Sequence, residues 1–409
     1  MAFDNKKIAI GVAGGIAAYK TCELIRELKK HKAEIRVAMT ESARKFVTEL
    51  TLATLSENPV SFSLFEENET SGTVHIDLAR WCDILVICPA TANVLGRVAA
   101  GLADDFLTTT ILATNADVLF CPSMNSVMLE KQVVQENIAK LKRLGYQFVE
   151  PEWGALATTS EGQGWGRLAS IHRIVQKIKL MLYQTKELAG KKVLVTAGPT
   201  REPIDPVRFI TNYSTGKMGF ALAAAAKLKG ADVVLISGDN QLEKPDGVKY
   251  IEIKTVNEMK QAVEAEYSAA DILLMAAAVS DYKPKEIAAH KIKKGADDIS
   301  LELQKTPDIL ASLGKKKQNC FHVGFALETE NGIENAKRKL AEKKLDMIVL
   351  NNPLEPGSAF GGDTNIVSII RKNGQVENLP KLSKSEVAEL ILNEVCLALS
   401  STNQKSFAV

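Results

Sequence analysis

The feature that most constrains the fold is that the chain begins a strand, a glycine turn and a helix twice. Residues 6–10 (KKIAI) lead into one such unit, and residues 191–195 (KKVLV) lead into another. In each half, short apolar runs then alternate with helical segments, a pattern typical of parallel sheets covered on both faces. The sequence therefore predicts two doubly wound, three-layer α/β domains. The predicted strands are residues 8–12, 35–39, 84–88 and 118–121 in the first half and 193–196, 233–237, 272–276, 323–325 and 347–350 in the second.

The boundary between the two domains is predicted near residue 188. Residues 171–187 have the pattern of an amphipathic helix, and residues 188–190 (LAG) are typical of a linker. A chain of 409 residues suits two or three domains of ordinary size. We therefore expect one domain over residues 1–187 and a second over residues 188–409.

Composition excludes several classes of protein. The chain is 46% hydrophobic and 24% charged, as in ordinary soluble globular proteins, and its net charge of +2 gives no electrostatic case for binding nucleic acid or membranes. No apolar run approaches the roughly 20 residues of a membrane helix, and the N-terminus lacks the features of a signal peptide. Six scattered cysteines without a C-x-x-C motif are typical of reduced thiols. We expect a cytoplasmic protein with no nucleic-acid or membrane partner.

Glycine-rich and polar motifs follow the predicted strands of the first half, where doubly wound folds bind their ligands. The turn at residues 11–18 (GVAGGIAA) lets backbone amides approach a phosphate at a helix N-terminus. Residues 39–42 (MTES) offer hydroxyls. They have no acid directly at the strand end, the position from which an acid usually binds the ribose of a dinucleotide. Residues 89–93 (PATAN) and 122–128 (PSMNSVM) follow the next two strands. Taken singly, each motif also suits a simple turn between a strand and a helix.

Together with residues 75–78 (HIDL) and 101–105 (GLADD), these motifs resemble homo-oligomeric flavin-containing cysteine decarboxylases over nearly all of residues 6–185. The resemblance implies a flavodoxin-like domain in which FMN oxidises the cysteine moiety to a thioaldehyde. That group accepts the electrons released with carbon dioxide, and the flavin then reduces the resulting enethiol. The resemblance also implies His75 as the base and Asn125 as the group that holds the substrate carboxylate. The implied FMN contacts are Gly14, Gly15, Ile16, Ala17, Thr40, Ser42, Ala90, Thr91, Asn93 and Met124, and Met128 and Thr158 are implied substrate contacts.

The segment at residues 154–168 matches the flap of that family but departs from it at one position. Many members carry a flap cysteine that acts as the acid in the final reduction, whereas Thr158 stands at that position here. Relatives that act on C-terminal cysteines of peptides lack this cysteine and stop at the oxidised product. We nevertheless expect the reduction to be completed, with a proton from solvent or from Glu161. The second source requires a Glu161 carboxyl that is shielded from water, with a raised pKa; otherwise Glu161 is a solvated loop charge.

The second half has its own polar loop after its first strand, within residues 193–220. This loop ends in residues 214–217 (STGK), which open an alanine-rich helix without the spacing of a P-loop. Ser214 or Thr215 is the predicted N-cap, and we interpret the segment as binding phosphate as well. A lysine run at residues 291–294 (KIKK) lies in a predicted loop, where such runs are usually solvated.

Residues 191–400, with motifs at 276–282 (AAAVSDY), 305–309 (KTPDI) and 324–329 (GFALET), resemble phosphopantothenate–cysteine ligases. The resemblance implies a Rossmann-like domain that activates the acid as an acyl-cytidylate, with CTP as co-substrate and Mg²⁺ or Mn²⁺. In coenzyme A synthesis the ligase and the decarboxylase act in succession, and many bacteria fuse them. The implied catalytic residues are Asn212 and Lys291. The implied substrate contacts are Arg208, Asn212, Ser214, Gly216, Lys217, Asp281, Lys291, Phe325, Lys339 and Lys343, and Asp308 is a candidate metal neighbour.

The resemblance also bears on assembly and on two competing functions. Flavin domains of this kind form trimers and the ligase domains dimerise, which implies a homo-oligomer as large as a dodecamer. One alternative is an NAD-dependent oxidoreductase. The sequence lacks the dinucleotide-binding fingerprint of that class, which argues against this alternative. The other is a regulatory or interaction protein built on the flavin fold, whose known members add an acidic tail that the sequence SSTNQKSFAV does not resemble.

Overall fold

A computed structural model describes residues 3–65, 73–294, 299–317, 319–352 and 361–406. The chain forms two compact units, Met1–Tyr183 and Gln184–Val409. Within the described ranges, no helix is both long enough and apolar enough to cross a membrane.

The first unit is built on a sheet of six parallel strands in the order β3-β2-β1-β4-β5-β6. If the two-residue β3 is left out, β1 lies between β2 and β4, the next long strand along the chain. This is the strand order of flavodoxin. The predicted flavodoxin-like fold is therefore confirmed. A short hairpin, β7–β8, forms the predicted flap. The strands are β1 (Lys7–Val12), β2 (Glu34–Met39), β3 (Val60–Ser61), β4 (Ile84–Ala90), β5 (Asp117–Pro122), β6 (Gln147–Phe148), β7 (Glu152–Ala155) and β8 (Gln163–Arg167).

Helices cover both faces of this sheet because alternate strand residues point to opposite sides. In β1, Ile8 and Ile10 enter one hydrophobic core, whereas Ala9 enters the other. The first core includes side chains of α1, α2 and α8, and the second includes side chains of α3, α4, α5 and α7. The helices are α1 (Lys20–Lys30), α2 (Glu49–Ser56), α3 (Val74–Trp81), α4 (Ala92–Ala100), α5 (Phe106–Ala113), α6 (Ser126–Glu130), α7 (Gln132–Arg143) and α8 (Ile171–Tyr183).

The second unit has an eight-stranded sheet in the order β13-β12-β9-β14-β17-β18-β20-β21. Its first six strands are parallel and follow the Rossmann order, and two antiparallel strands extend one edge. Three two-stranded pairs, β10–β11, β15–β16 and β19–β22, stand apart from this sheet. The strands are β9 (Lys192–Ala197), β10 (Arg201–Pro203), β11 (Phe209–Thr211), β12 (Asp232–Gly238), β13 (Lys249–Ile253), β14 (Ile272–Met275), β15 (Tyr282–Pro284), β16 (Leu303–Lys305), β17 (Phe321–Leu327), β18 (Met347–Asn351), β19 (Thr364–Asn365), β20 (Val367–Arg371), β21 (Val376–Asn378) and β22 (Leu382–Ser383).

This sheet also lies between two helical layers. Val193 and Val195 pack with one core, while Leu194 between them packs with the other. The predicted three-layer, Rossmann-like architecture of the second half is therefore confirmed. The helices are α9 (Lys217–Leu228), α10 (Val256–Tyr267), α11 (Ile309–Lys316), α12 (Gly332–Glu342) and α13 (Lys384–Ser406).

Two local predictions were wrong. The helix predicted over residues 171–187 ends at Tyr183, because Thr185 donates its N–H to the carbonyl of Leu228 and Leu188 is buried in the core of the second unit. The predicted N-cap of α9 is also incorrect. Gly216 occupies that position with φ of 81° and no side-chain cap, and glycine adopts this left-handed conformation without the strain of a Cβ.

Candidate active sites

The first unit holds a cleft of about 950 Å³ at the carboxyl ends of its central strands. This is the size of a small-molecule or cofactor site. Nearly all the residues predicted to bind a flavin line this cleft. The exception is Ala90, which is fully buried in β4 and is not part of the lining. The predicted residues that line the cleft are Gly14, Gly15, Ile16, Ala17, Thr40, Ser42, Thr91, Asn93, Met124, Asn125 and Met128.

The glycine turn leaves no room for a side chain at Gly14. A Cβ there would lie 2.8 Å from the carbonyl carbon of Ser42, so the two chain segments meet backbone to backbone. Thr91 caps α4 by accepting the N–H of Val94 at 3.4 Å. The cleft therefore has a floor of backbone and hydroxyl groups beside helix N-termini, an arrangement suited to an anionic group.

Asn125 is held in one orientation at the mouth of the cleft. Its Oδ1 accepts the N–H of Val127 at 2.9 Å, so its Nδ2 faces the flap and donates to Glu161 Oε1 at 2.7 Å. The hydrogen bond from Asn125 is the main reason that the pKa of Glu161 is lowered. The raised pKa that we considered for Glu161 is therefore wrong for this arrangement.

Thr158 and His75 do not line the cleft, although Ala157 and Glu161, the neighbours of Thr158 on the flap, do. The Thr158 hydroxyl lies 2.9 Å from Ser160 Oγ, and its N–H donates to Glu161 Oε2 at 3.3 Å. His75 is the second residue of α3 and is half-buried. Its Nδ1 is buried without a hydrogen-bond partner among the described residues.

Several charged side chains of this cleft were not predicted as site residues, among them the pair Arg97 and Asp105. The Arg97 guanidinium donates to Asp105 Oδ2 at 3.1 Å and to Asp104 Oδ1 at 3.0 Å, and both Arg97 and Asp105 line the cleft. The only available signal was the motif at residues 101–105, to which no role was given.

The second unit has a cleft of about 490 Å³ at the carboxyl ends of β14 and β17, beside the point between β9 and β14 where the strand order reverses and such sheets bind nucleotides. It is bounded by the start of α9, the loop after β14, the start of α11 and the end of β17. The Asn212 amide donates to the carbonyl of Ala278 at 2.9 Å across this cleft. The predicted residues that line it are Asn212, Ser214, Gly216, Lys217, Asp281, Asp308, Phe325, Lys339 and Lys343.

Lysines surround this second cleft, and each has a partner of its own. Lys217 donates to Asp363 at 2.7 Å and to the carbonyl of Gly361 at 2.8 Å, and Lys339 donates to Glu328 at 2.6 Å. Lys384, which sequence reasoning missed, lies in the same lining.

The Lys384 amine donates to the carbonyl of Gly362 at 2.6 Å. Burial, and then the nearby charge of Lys217, lowers the pKa of Lys384. An anion that binds here would relieve this repulsion.

Asp308 is already engaged on both carboxylate oxygens. Oδ1 accepts the N–H of Ala311 at 2.9 Å as the cap of α11, and Oδ2 lies 2.9 Å from Lys343 Nζ. Although burial acts to raise the pKa of Asp308, these contacts lower it. In the described part of the chain, no three His, Cys, Asp or Glu side chains form a cluster that could hold a metal ion.

Lys291 and Arg208 are not part of the lining of this cleft. Lys291 is exposed on the loop that follows β15. Arg208 lies between β10 and β11, where its Nη2 donates to the carbonyl of Ile292 at 3.0 Å. Arg208 is thus linked to the segment of Lys291 through the backbone carbonyl of Ile292, the residue after Lys291.

Comparison with known families accounts for nearly the whole chain. Residues 2–182 match the family described as Flavoprotein, and residues 188–398 match the DNA/pantothenate metabolism flavoprotein C-terminal domain. The chain is 45% identical over 406 residues to the coenzyme A biosynthesis bifunctional protein CoaBC of Bacillus subtilis (strain 168), an alignment that covers 98% of this chain and 100% of that protein. It is 40% identical over 409 residues to the protein of the same name from Escherichia coli (strain K12), covering 99% and 100% of the two chains.

Two solved structures are each similar to part of the chain. The crystal structure of the C-terminal domain of a CoaBC protein is 42% identical and covers 53% of this chain and 100% of its own, with a TM-score of 0.47. The FMN-dependent cysteine decarboxylase SpaF is 31% identical and covers 42% of this chain and 95% of its own, with a TM-score of 0.38.

Proposed function

This chain belongs to the family of bifunctional coenzyme A biosynthesis proteins, which combine a decarboxylase with a ligase, and we propose that its two units act in succession. The C-terminal unit ligates 4′-phosphopantothenate to cysteine at the expense of CTP. The N-terminal unit then decarboxylates 4′-phosphopantothenoylcysteine to 4′-phosphopantetheine with FMN. The observation that carries this proposal is the 45% identity to a bifunctional relative over 98% of the chain. That full-length similarity also sets aside an NAD-dependent oxidoreductase and a regulatory protein.

The cleft of the N-terminal unit suits a flavin mononucleotide. Backbone groups at Gly14, with the hydroxyls of Thr40 and Ser42, offer donors for a phosphate and a ribityl chain. When bound, the flavin supplies the oxidation that allows the carboxylate to leave and the reduction that completes the product.

Two side chains of this unit serve the substrate. Asn125 Nδ2 already holds a carboxylate, that of Glu161, and we infer that it holds the α-carboxylate of the substrate in the same way. His75 accepts a proton from the cysteine moiety, and its Nδ1, which is buried without a hydrogen-bond partner among the described residues, supports that role.

The C-terminal cleft suits a nucleoside triphosphate because its lysines gather positive charge where phosphates would lie. A carboxylate oxygen of phosphopantothenate attacks the α-phosphorus of CTP, and pyrophosphate leaves. The cysteine amine then attacks the acyl carbon, and CMP leaves. Lys291 stabilises the charge that develops on the α-phosphate, and Asn212 holds the acyl-cytidylate.

The remaining polar groups of this cleft have supporting roles. Asp281 is exposed in the lining and contacts the ribose, and Lys217, Lys339 and Lys343 contact the phosphates. We expect Mg²⁺ to arrive with the triphosphate, because both oxygens of Asp308 are engaged. Asp308 would have to release Lys343 to become a ligand.

We further propose a cytoplasmic homo-oligomer with trimeric flavin units and dimeric ligase units. The support for this proposal is the match of each unit to its family. Sedimentation of a monomer at micromolar concentration would contradict it.

The decisive experiment incubates the full chain with 4′-phosphopantothenate, cysteine, Mg²⁺ and CTP, with mass analysis of the products. We expect 4′-phosphopantothenoylcysteine, followed by 4′-phosphopantetheine, and a slower reaction when ATP replaces CTP. The His75→Asn variant should retain its yellow flavin and stop at phosphopantothenoylcysteine. Absence of ligation with every substrate present would refute the proposal, and full turnover by the variant would refute the role of His75.

A further inference from the structure

A buried carboxylate outside both clefts holds the backbone beside Lys291. Asp205 lies between β10 and β11 and is only 2% exposed. Its Oδ1 accepts the N–H groups of Val207 at 2.7 Å and Arg208 at 2.8 Å. Its Oδ2 accepts the N–H of Ile292, the residue after Lys291, at 3.2 Å.

Arg208 completes the attachment from the other side of the same peptide segment. Its Nη2 donates to the carbonyl of Ile292 at 3.0 Å, and its Nη1 lies 3.6 Å from Asp205 Oδ2. Four residues earlier, the N–H of Ala288 donates to the carbonyl of Ile204 at 3.0 Å. Both backbone polar groups of Ile292 are therefore held by the Asp205–Arg208 pair.

A carboxylate is more than the local turn needs. Asn or Ser could accept the two nearby amides of such a turn without burying a charge. Burying an ionised carboxylate is costly unless hydrogen bonds and an opposite charge satisfy it. The oxygen that the turn does not use is Oδ2, and it reaches Ile292 and Arg208. The need for a charged side chain at position 205 is therefore explained by its contacts with Arg208 and with the segment that carries Lys291.

The same hairpin leads directly into the second cleft. Asn212 follows β11 and lines the cleft, and Thr211 Oγ1 donates to the carbonyl of Thr200 at 2.8 Å at the base of the hairpin. One hydrogen-bonded hairpin therefore connects Asn212 to the segment that carries Lys291.

We propose that Asp205 is a positioning residue for the ligation reaction, which with Arg208 holds the segment of Lys291 so that the lysine amine meets the phosphate under attack. This inference rests on the proposed function, specifically on the role of Lys291 in activating the acid with CTP. Asp205 itself lies outside the lining of the cleft in which we place the nucleotide and the acid.

The test is the Asp205→Asn variant of the full chain. The Asn oxygen can still close the turn, but its amide then faces the N–H of Ile292 and cannot accept from it. We expect kcat for pyrophosphate release from CTP and phosphopantothenate to fall by about tenfold or more, while the KM of each changes by less than about threefold. Trypsin should cut after Lys291 faster than in the parent chain under native conditions, as located by mass spectrometry.

Two further variants separate positioning from folding. Asp205→Ser keeps a short acceptor for the turn but cannot reach Ile292, so it should reproduce both effects if the Asn variant folds poorly. Glu202→Gln is the matched control, because Glu202 is a buried acid of the adjoining strand β10 that accepts the N–H of Val256 at 2.9 Å. The Gln side chain keeps that acceptor, so this variant should retain parental rates and proteolysis.

Lys291→Gln distinguishes the two possible failures. If that variant ligates at the parental rate, the proposed role of Lys291 is wrong and the positioning inference falls with it. If it is inactive while folded Asp205→Asn or Asp205→Ser keeps parental kcat and parental cleavage after Lys291, only the positioning inference is overturned.

Discussion

Glu161 shows at the scale of one residue how neighbours decide what a carboxyl group can do. The Asn125 amide and the backbone N–H of Thr158 donate to its two oxygens. Donors of this kind stabilise the ionised form, and the pKa of Glu161 is lowered as a result. A general acid at neutral pH needs the opposite shift, so the flap offers no side-chain acid in place of the missing cysteine.

We therefore expect Glu161→Gln to form 4′-phosphopantetheine at a rate within about twofold of the parent. The proton for the last reduction then comes from solvent. Mass analysis of products in a time course measures the rate and distinguishes phosphopantetheine from a product two hydrogens lighter. A rate at least tenfold lower, or accumulation of the lighter product only in the variant, would restore Glu161 as the acid.

His322 is a second residue whose surroundings set its charge, and it lies at the start of β17, away from the lining of the second cleft. Its Nε2 lies 2.8 Å from Tyr267 Oη, and its Nδ1 is buried without a partner in the described part of the chain. Burial first, and then the charge of Lys317, lowers the pKa of His322 to about 4. The folded protein thus keeps this imidazole neutral.

This depressed pKa predicts a loss of stability in acid. The unfolded chain takes up the proton near pH 6.5, so the contribution of His322 is complete above that pH and is lost as the pH falls toward about 4. The loss should reach about 3 kcal/mol at most. Urea unfolding at pH 7 and at pH 4.5 measures it, and His322→Gln should show a smaller difference between the two. Equal differences in parent and variant would contradict the prediction.

At the scale of elements, strands with continuous apolar runs were predictable and edge strands were not. The predicted central strands match the structure within two residues at each end, because strands buried on both faces have few polar positions. The edge strands β13 (KYIEI) and β21 (VEN) escaped prediction, since most of their residues are exposed or half-buried. The N-cap of α9 was missed because the backbone conformation of Gly216 depends on the contacts of its loop.

The glycine turn after β1 makes an element-scale prediction. Gly14→Ala would force a Cβ against the backbone of Ser42, which must move the turn that we expect to hold the flavin phosphate. The variant should purify with less than about a tenth of the parental flavin, which needs more than 1.4 kcal/mol of lost binding. Absorbance of the bound flavin measures this occupancy.

A matched control for that variant is Gly96→Ala in α4. A Cβ at Gly96 would meet only Asn137 Nδ2, at 3.6 Å, and alanine favours a helix by up to about 1 kcal/mol over glycine. Full flavin content is expected. Loss of flavin in both variants would point to a general fault in folding, and full flavin in Gly14→Ala would contradict the assigned phosphate site.

At the scale of the whole molecule, the sequence predicted two domains and the class of each, while the arrangement of side chains required the fold. Lys217 and Lys384 meet at one cleft although they belong to helices far apart in the chain, and no local pattern relates them. The contact between Asp205 and the backbone beside Lys291 was equally hidden, since it joins two loops. Resemblance identified the motifs, and the fold showed which of them share a site.

The boundary itself gives the last prediction. Residues 184–190 belong by their contacts to the second unit: Thr185 donates to Leu228, Leu188 N–H donates to Lys229, and Lys229, only 7% exposed, pairs with Glu187. A fragment that begins at residue 184 keeps all three contacts. One that begins at the predicted boundary, residue 188, loses the first and the ion pair, and leaves a buried lysine without its carboxylate.

Both fragments should make 4′-phosphopantothenoylcysteine from phosphopantothenate, cysteine and CTP, because this unit has its own two-sided core. The shorter one should melt lower, by about 2–4 °C for each kcal/mol lost. Lys229→Met in the shorter fragment removes the unpaired charge and should recover part of the difference. Equal melting temperatures would show that residues 184–187 add nothing to the unit. Fragments that fold but do not ligate, beside an active full chain, would show that the ligase needs the flavin unit.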